Sequence, residues 1–139
     1  MTKAPATLTY ASVVSRETVR IVLTIAAFNG LQVKCRVVVN AYIQAPVTEK
    51  IWTTLGKEFG DDAGKQAIIV QAIYGLKSSG AAFGKHLGEC MSGLRYKPCL
   101  ADPDIWLKPQ SREGGTGYYM YILCYIDDMP VVHDDAQPP

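Results

Sequence analysis

The feature that most constrains this chain is the run Tyr118 to Ile126. Its nine apolar or aromatic residues lead straight into Asp127-Asp128, and apolar character resumes at Met129. An apolar run of that kind is a buried strand, and the chain must turn back at its end. Two adjacent carboxylates there repel each other and are costly to desolvate. They suit a hard cation such as Mg²⁺, which takes a few carboxylates together with substrate phosphates. A plain hairpin tip explains the pair equally well on this feature alone. Asp61-Asp62 and Asp134-Asp135 are pairs of that ordinary kind.

Patterning supplies the remaining elements. Ser15 is placed to cap a helix with Glu17 in its first turn, and Val19, Val22, Leu23, Ile25 and Ala26 form an apolar face up to the stop at Asn29-Gly30. Gln32 to Val39 reads as a buried strand, Pro46 closes that region, and Ile51 to Thr53 is a short strand. Asp61 to Lys65 is turn chemistry before a strand at Ala67 to Ala72. From about Ala81 a helix is predicted, with Phe83, Leu87, Met91 and Leu94 on one face. Gly84 and Gly88 each cost that helix about 1 kcal/mol relative to alanine, so a close backbone neighbour is expected at both. Ile105 to Lys108 and Tyr118 to Ile126 are strands around a loop at 111–117, and Val131 to His133 is the return strand. The predicted class is α+β, an antiparallel sheet with helices packed on one face. The boundaries are a loose lead-in at 1–11, one domain at 12–136 and a tail at 137–139.

Composition narrows the function classes. Net charge is +1 with Lys and Arg scattered, so no basic stripe announces nucleic acid. The four cysteines form no C-x-x-C pair and read as reduced thiols. His86 and Cys90 share a helical face and Cys99 follows, but a fourth ligand is missing and zinc is not expected. Gly60 to Gln66 departs from a phosphate loop in spacing and in its last residue. No apolar run approaches the roughly 20 residues of a membrane helix, and no charged-then-apolar leader opens the sequence. An intracellular, non-secreted protein is expected, with no membrane partner.

Tyr125-Ile126-Asp127-Asp128 resembles the Tyr-x-Asp-Asp motif of reverse transcriptases. Further blocks, in the right order, resemble the copia-type (Pseudoviridae) retrotransposon branch: Ser12 to Arg20, Asn40 to Ala45, Ile73-Tyr74-Gly75-Leu76-Lys77-Ser78, and Asp102-Pro103-Asp104-Ile105-Trp106. Each is weak alone; Tyr-Gly-Leu-Lys followed about fifty residues later by Tyr-Ile-Asp-Asp is specific. The resemblance implies an RNA-directed DNA polymerase, an incomplete fingers and palm region lacking most fingers strands and the thumb. Its partners would be an RNA or DNA primer-template and deoxynucleoside triphosphates, and its chemistry an in-line phosphoryl transfer clamped by two Mg²⁺ ions. Asp127 and Asp128 match the catalytic, metal-binding carboxylates, and Tyr125 a residue beside the primer-template. Tyr74 and Gly75 match the nucleotide pocket, Lys77 the template side, and Tyr42 the aromatic gate under the sugar. A solvated surface lysine accounts for Lys77 at least as well, and without the other motifs a half-buried strand-end tyrosine would be the better account of Tyr42.

One departure outweighs the matches. The family places a metal-bridging aspartate five residues before the gate aromatic, and here that position is Val37. The nearest acid in sequence, Glu49, lies beyond Pro46. Gly80 stands where the family often has proline, and Pro130 removes a ladder donor from the return strand. Two readings follow: a polymerase segment using Mg²⁺, or a decayed or co-opted fragment with at most nucleic-acid or protein binding. Val37 favours the second.

Overall fold

A computed structural model of the chain describes residues 11–135. The tail at 137–139, and all of the lead-in except Ala11, fall outside the described residues. The architecture is α+β, and the chain forms two compact units, one from Ser12–Val39 with Leu87–Pro139, the other from Met1–Ala11 with Asn40–His86.

The first unit is a five-stranded antiparallel sheet. Helix α1 (Arg16–Phe28) starts where the sequence says it should: Ser15 Oγ accepts from the Thr18 N–H at 3.1 Å. It ends in a paired C-terminal stop, Leu31 N–H to Ala26 C=O and Gly30 N–H to Ala27 C=O, with Gly30 at φ 62°. That left-handed position is the reason for a glycine. Val22 and Ala26 are buried, whereas Leu23, assigned to the same face, is exposed. The strands are β1 (Gln32–Val37), β4 (Lys97–Pro98), β5 (Ile105–Ser111), β6 (Gly117–Leu123) and β7 (Asp128–His133), in the order β1-β7-β6-β5-β4; β2 and β3 belong to the second unit.

Register decides which residues share a face. Ile105 pairs with Leu123, and Leu107 and Val132 both stand beside Tyr121. This face meets α1, where Val22, Ala26, Leu31, Ile105, Leu123 and Val132 form one core. Trp106, Ile122, Val131 and Lys34 make the next row and point the other way. There the Trp106 ring lies 3.7 Å from where a Cβ at Gly88 of α2 (Ser79–Gly93) would stand. The helices therefore flank both faces of the sheet, not one face as predicted, because alternation makes Trp106 and Met120 as apolar as the α1 side. No backbone crowds Gly88, and nothing lies within 4 Å of a Cβ at Gly84. The expected close backbone neighbours are thus replaced by one aromatic ring. Phe83 and Met91 are buried, but Leu94 lies past the helix end and is exposed.

β1 departs most from its expected environment. All six residues are exposed, because β1 is the edge strand and bonds β7 alone. Pro130, by contrast, sits on β7 between two neighbours. Carrying the register Tyr121↔Val132 and Ile122↔Val131 forward sets it opposite Leu123. There Pro130 leaves the ladder one donor short, and pairing in the same register returns at Tyr125 and Asp128.

In the second unit β2 (Pro46–Thr54) and β3 (Gln66–Gln71) form an antiparallel hairpin. Pro46 opens β2 rather than closing the preceding region. A short 3-10 turn (Ala41–Gln44) precedes it, and Ala41, Ala45 and Ala72 are fully buried. Ala72 N–H reaches Ala45 C=O at 2.9 Å, an approach that larger side chains would obstruct. Gly80 is crowded: a Cβ there would stand 2.7 Å from that of Ala11, so a larger residue would force a shift.

Candidate functional site

The carboxylates sit on a two-residue hairpin tighter than predicted. β6 ends at Leu123, and Tyr125 and Asp128 close the turn reciprocally, N–H to C=O at 2.9 and 3.0 Å. Ile126 and Asp127 form the loop. Ile126 takes φ 57°, an uncommon left-handed conformation for a β-branched residue. Such positions cost about 1–3 kcal/mol each and concentrate at functional sites. Ile126→Gly is expected to raise the urea midpoint, with a gain of about 1 kcal/mol; an unchanged or lower midpoint would show that the loop is not strained there.

Asp128 is exposed and Asp127 half-buried. β1 runs directly beside them. Val37 is the cross-strand partner of Asp128, and the Val38 N–H donates to the Asp127 C=O at 2.8 Å. The residue beside the acidic pair on β1 is therefore a valine, 60% exposed. Among the described residues no group of three or more His, Cys, Asp or Glu side chains is placed to hold a metal ion. With a valine beside Asp128 and no third acid placed nearby among the described residues, the site does not fit a pair of bridged divalent ions. Tyr125, at the hairpin start, is exposed. Behind it burial pushes the Cys124 thiol up to about 12, reinforced by the Asp104 charge, so this thiol is inert as a nucleophile.

The other motif residues gather in the second unit. Tyr42 and Tyr74 stack with ring centroids 4.6 Å apart and a 37° tilt, and Phe83 backs Tyr42 at 6.0 Å. Gly75 takes φ 98° in a turn closed by the Leu76 N–H to Ile73 C=O. The backbone conformation, at the third position of a type II-like turn, demands this glycine, since nothing crowds its Cβ side. Buried Ser79 fixes the turn, its Oγ donating to Ile73 C=O at 2.6 Å. Lys77 is exposed. The aromatic pair thus lies in one unit and the carboxylates in the other.

Asp102 has a role that the motif reading missed. It is buried, and its carboxylate accepts from Ser15 N–H at 3.2 Å and Asp104 N–H at 3.1 Å. Ser12 Oγ donates to Asp104 at 2.9 Å. The Asp-Pro-Asp block is a clasp holding the start of α1 to the β4–β5 connection. Burial alone would raise the Asp102 carboxyl, but hydrogen bonds from Thr18, Ser15 and Asp104 pull it below the usual range. A depressed acid stabilises the fold above its unfolded-state value, about 4, and that stability drains as pH falls through the folded value. Asp104, raised by burial, has the opposite sign and offsets part of this. Urea midpoints are therefore expected to fall between pH 5 and pH 3 (about one unit either side of 4), and less steeply in Asp102→Asn. Equal slopes in both proteins would remove Asp102 from the clasp.

A profile described as "Reverse transcriptase (RNA-dependent DNA polymerase)" matches residues 6–138. The chain belongs to the reverse transcriptase family. It is 26% identical over 129 residues to the Retrovirus-related Pol polyprotein from transposon TNT 1-94 of Nicotiana tabacum, covering 91% of this chain and 9% of that protein. It is 23% identical over 130 residues to the RE2 counterpart of Arabidopsis thaliana, covering 92% and 9%, and 22% identical over 129 residues to RE1, covering 91% and 8%. These relatives are copia-type, and the chain spans less than a tenth of their length. No solved structure matches it. No helix among the described residues is long and apolar enough to cross a membrane.

Proposed function

We propose that this chain is the fingers–palm segment of a copia-type reverse transcriptase in which nucleotidyl transfer has been lost. The carrying observation is Val37 paired directly with Asp128. In the parent reaction, divalent ions held by the first palm strand and the hairpin supply charge at the reacting phosphate. This chain offers the hairpin carboxylates without their partner, so no catalytic step is assigned to them. What it retains is recognition. The stacked Tyr42–Tyr74 pair forms an aromatic wall for the sugar and base of a deoxynucleotide. Gly75 shapes the turn that presents Tyr74, Lys77 serves the template phosphates, and exposed Tyr125 lies beside the primer-template.

The alternative is an active RNA-directed DNA polymerase dependent on Mg²⁺, supported by the intact hairpin. Primer extension separates the two, with this sequence and its Val37→Asp variant each grafted into a complete copia-type framework. Equal extension rates would sink the inactive reading. Nucleotide binding to the unsubstituted chain, weakened by Tyr42→Ala, tests recognition apart from turnover.

A further inference from the structure

We propose that the open edge of β1 is a docking site for an extended segment of a partner protein that alternates acidic with apolar side chains. Alternation along an antiparallel pair turns successive residues' peptide groups to opposite sides. Val38 bonds toward β7, so Val33, Cys35 and Val37 direct their N–H and C=O groups outward. No hydrogen bond of the described residues uses these outward groups. The whole strand is exposed. A row of open peptide groups is a template for another strand.

Side-chain chemistry selects that strand. Val33, Cys35 and Val37 lie on one face of β1, and Lys34 and Arg36 on the other. A complementary strand needs apolar residues beside the first set and carboxylates beside the second. A second copy of this chain is disfavoured, because antiparallel pairing centred on Cys35 sets Lys34 against Arg36, and parallel pairing sets each cation against itself. The two cations thus defend the edge against self-association while matching an acidic strand. Lys34 is held by an ion pair to Asp135 at 3.4 Å, and both side chains are exposed enough for a carboxylate to displace it.

The test uses the full chain and a short labelled peptide alternating valine with glutamate, with a valine–lysine peptide as control. Anisotropy is expected to show binding of the glutamate peptide at least about tenfold tighter than the lysine peptide, weakening with salt. Cys35→Pro removes one outward N–H, leaves the bonds to β7 in place, and is expected to lower that affinity by about tenfold or more. The double variant Lys34→Glu, Arg36→Glu is expected to reverse the peptide preference, which keeps the test decisive should the proline variant fold poorly. Indifference to peptide charge, unchanged binding by a folded Cys35→Pro, or self-association that the glutamate peptide fails to displace would each overturn the proposal.

Discussion

Val37→Asp is expected to raise primer extension by about two to three orders of magnitude in a complete framework. Removing one donor aimed at transition-state charge typically costs about 2.7–4 kcal/mol, and each 1.4 kcal/mol is tenfold. The substitution sets such a group beside the hairpin carboxylates, because residue 37 is the cross-strand partner of Asp128 and Val38 is bonded to Asp127. A second readout is independent of turnover. Without divalent ions, a new carboxylate opposite Asp128 is expected to lower stability by about 0.2–1 kcal/mol through like-charge repulsion. Added Mg²⁺ is expected to reverse that loss in the variant and leave the parent chain unchanged. Urea midpoints with Mg²⁺ and with chelator measure both. A variant blind to Mg²⁺ would mean that position 37 does not share a site with the hairpin.

Leu123→Ala is expected to destabilise the five-stranded unit by about 2–5 kcal/mol, a large fraction of the roughly 5–15 kcal/mol that holds a domain together. Leu123 is 1% exposed and belongs to the core with Val22, Ala26, Ile105 and Val132. It also faces Pro130 by register, where the ladder lacks a donor, so packing carries what hydrogen bonding there does not. Reversible urea denaturation gives the number. A loss below about 1 kcal/mol would mean that the neighbours collapse into the space.

What was legible in the residues was mostly local. The α1 boundaries followed from Ser15 and Asn29-Gly30, whose side chains and backbone freedom act within one turn. The turn at Asp61 to Lys65 is held by the Lys65–Asp62 pair, three residues apart. The hairpin carboxylates are visible because nine apolar residues isolate them, yet that apolar run continues past the end of β6 at Leu123. The two-residue loop, and with it the positive φ at Ile126, comes from the reciprocal bonds of Tyr125 and Asp128. The Asp102 clasp was invisible for a different reason: its partners at Ser12 and Ser15 are some ninety residues away, and no local pattern announces such a contact.

The adjacent carboxylates, the family and the valine at position 37 were determined by the sequence alone, since each is a matter of residue type and spacing. Tertiary structure decided what these residues face. Register set Val37 against Asp128. Edge position left β1 in solvent, and alternation gave the sheet two apolar faces, each with its own helix. Burial follows from which strands become neighbours, and that depends on pairings between residues far apart in the chain.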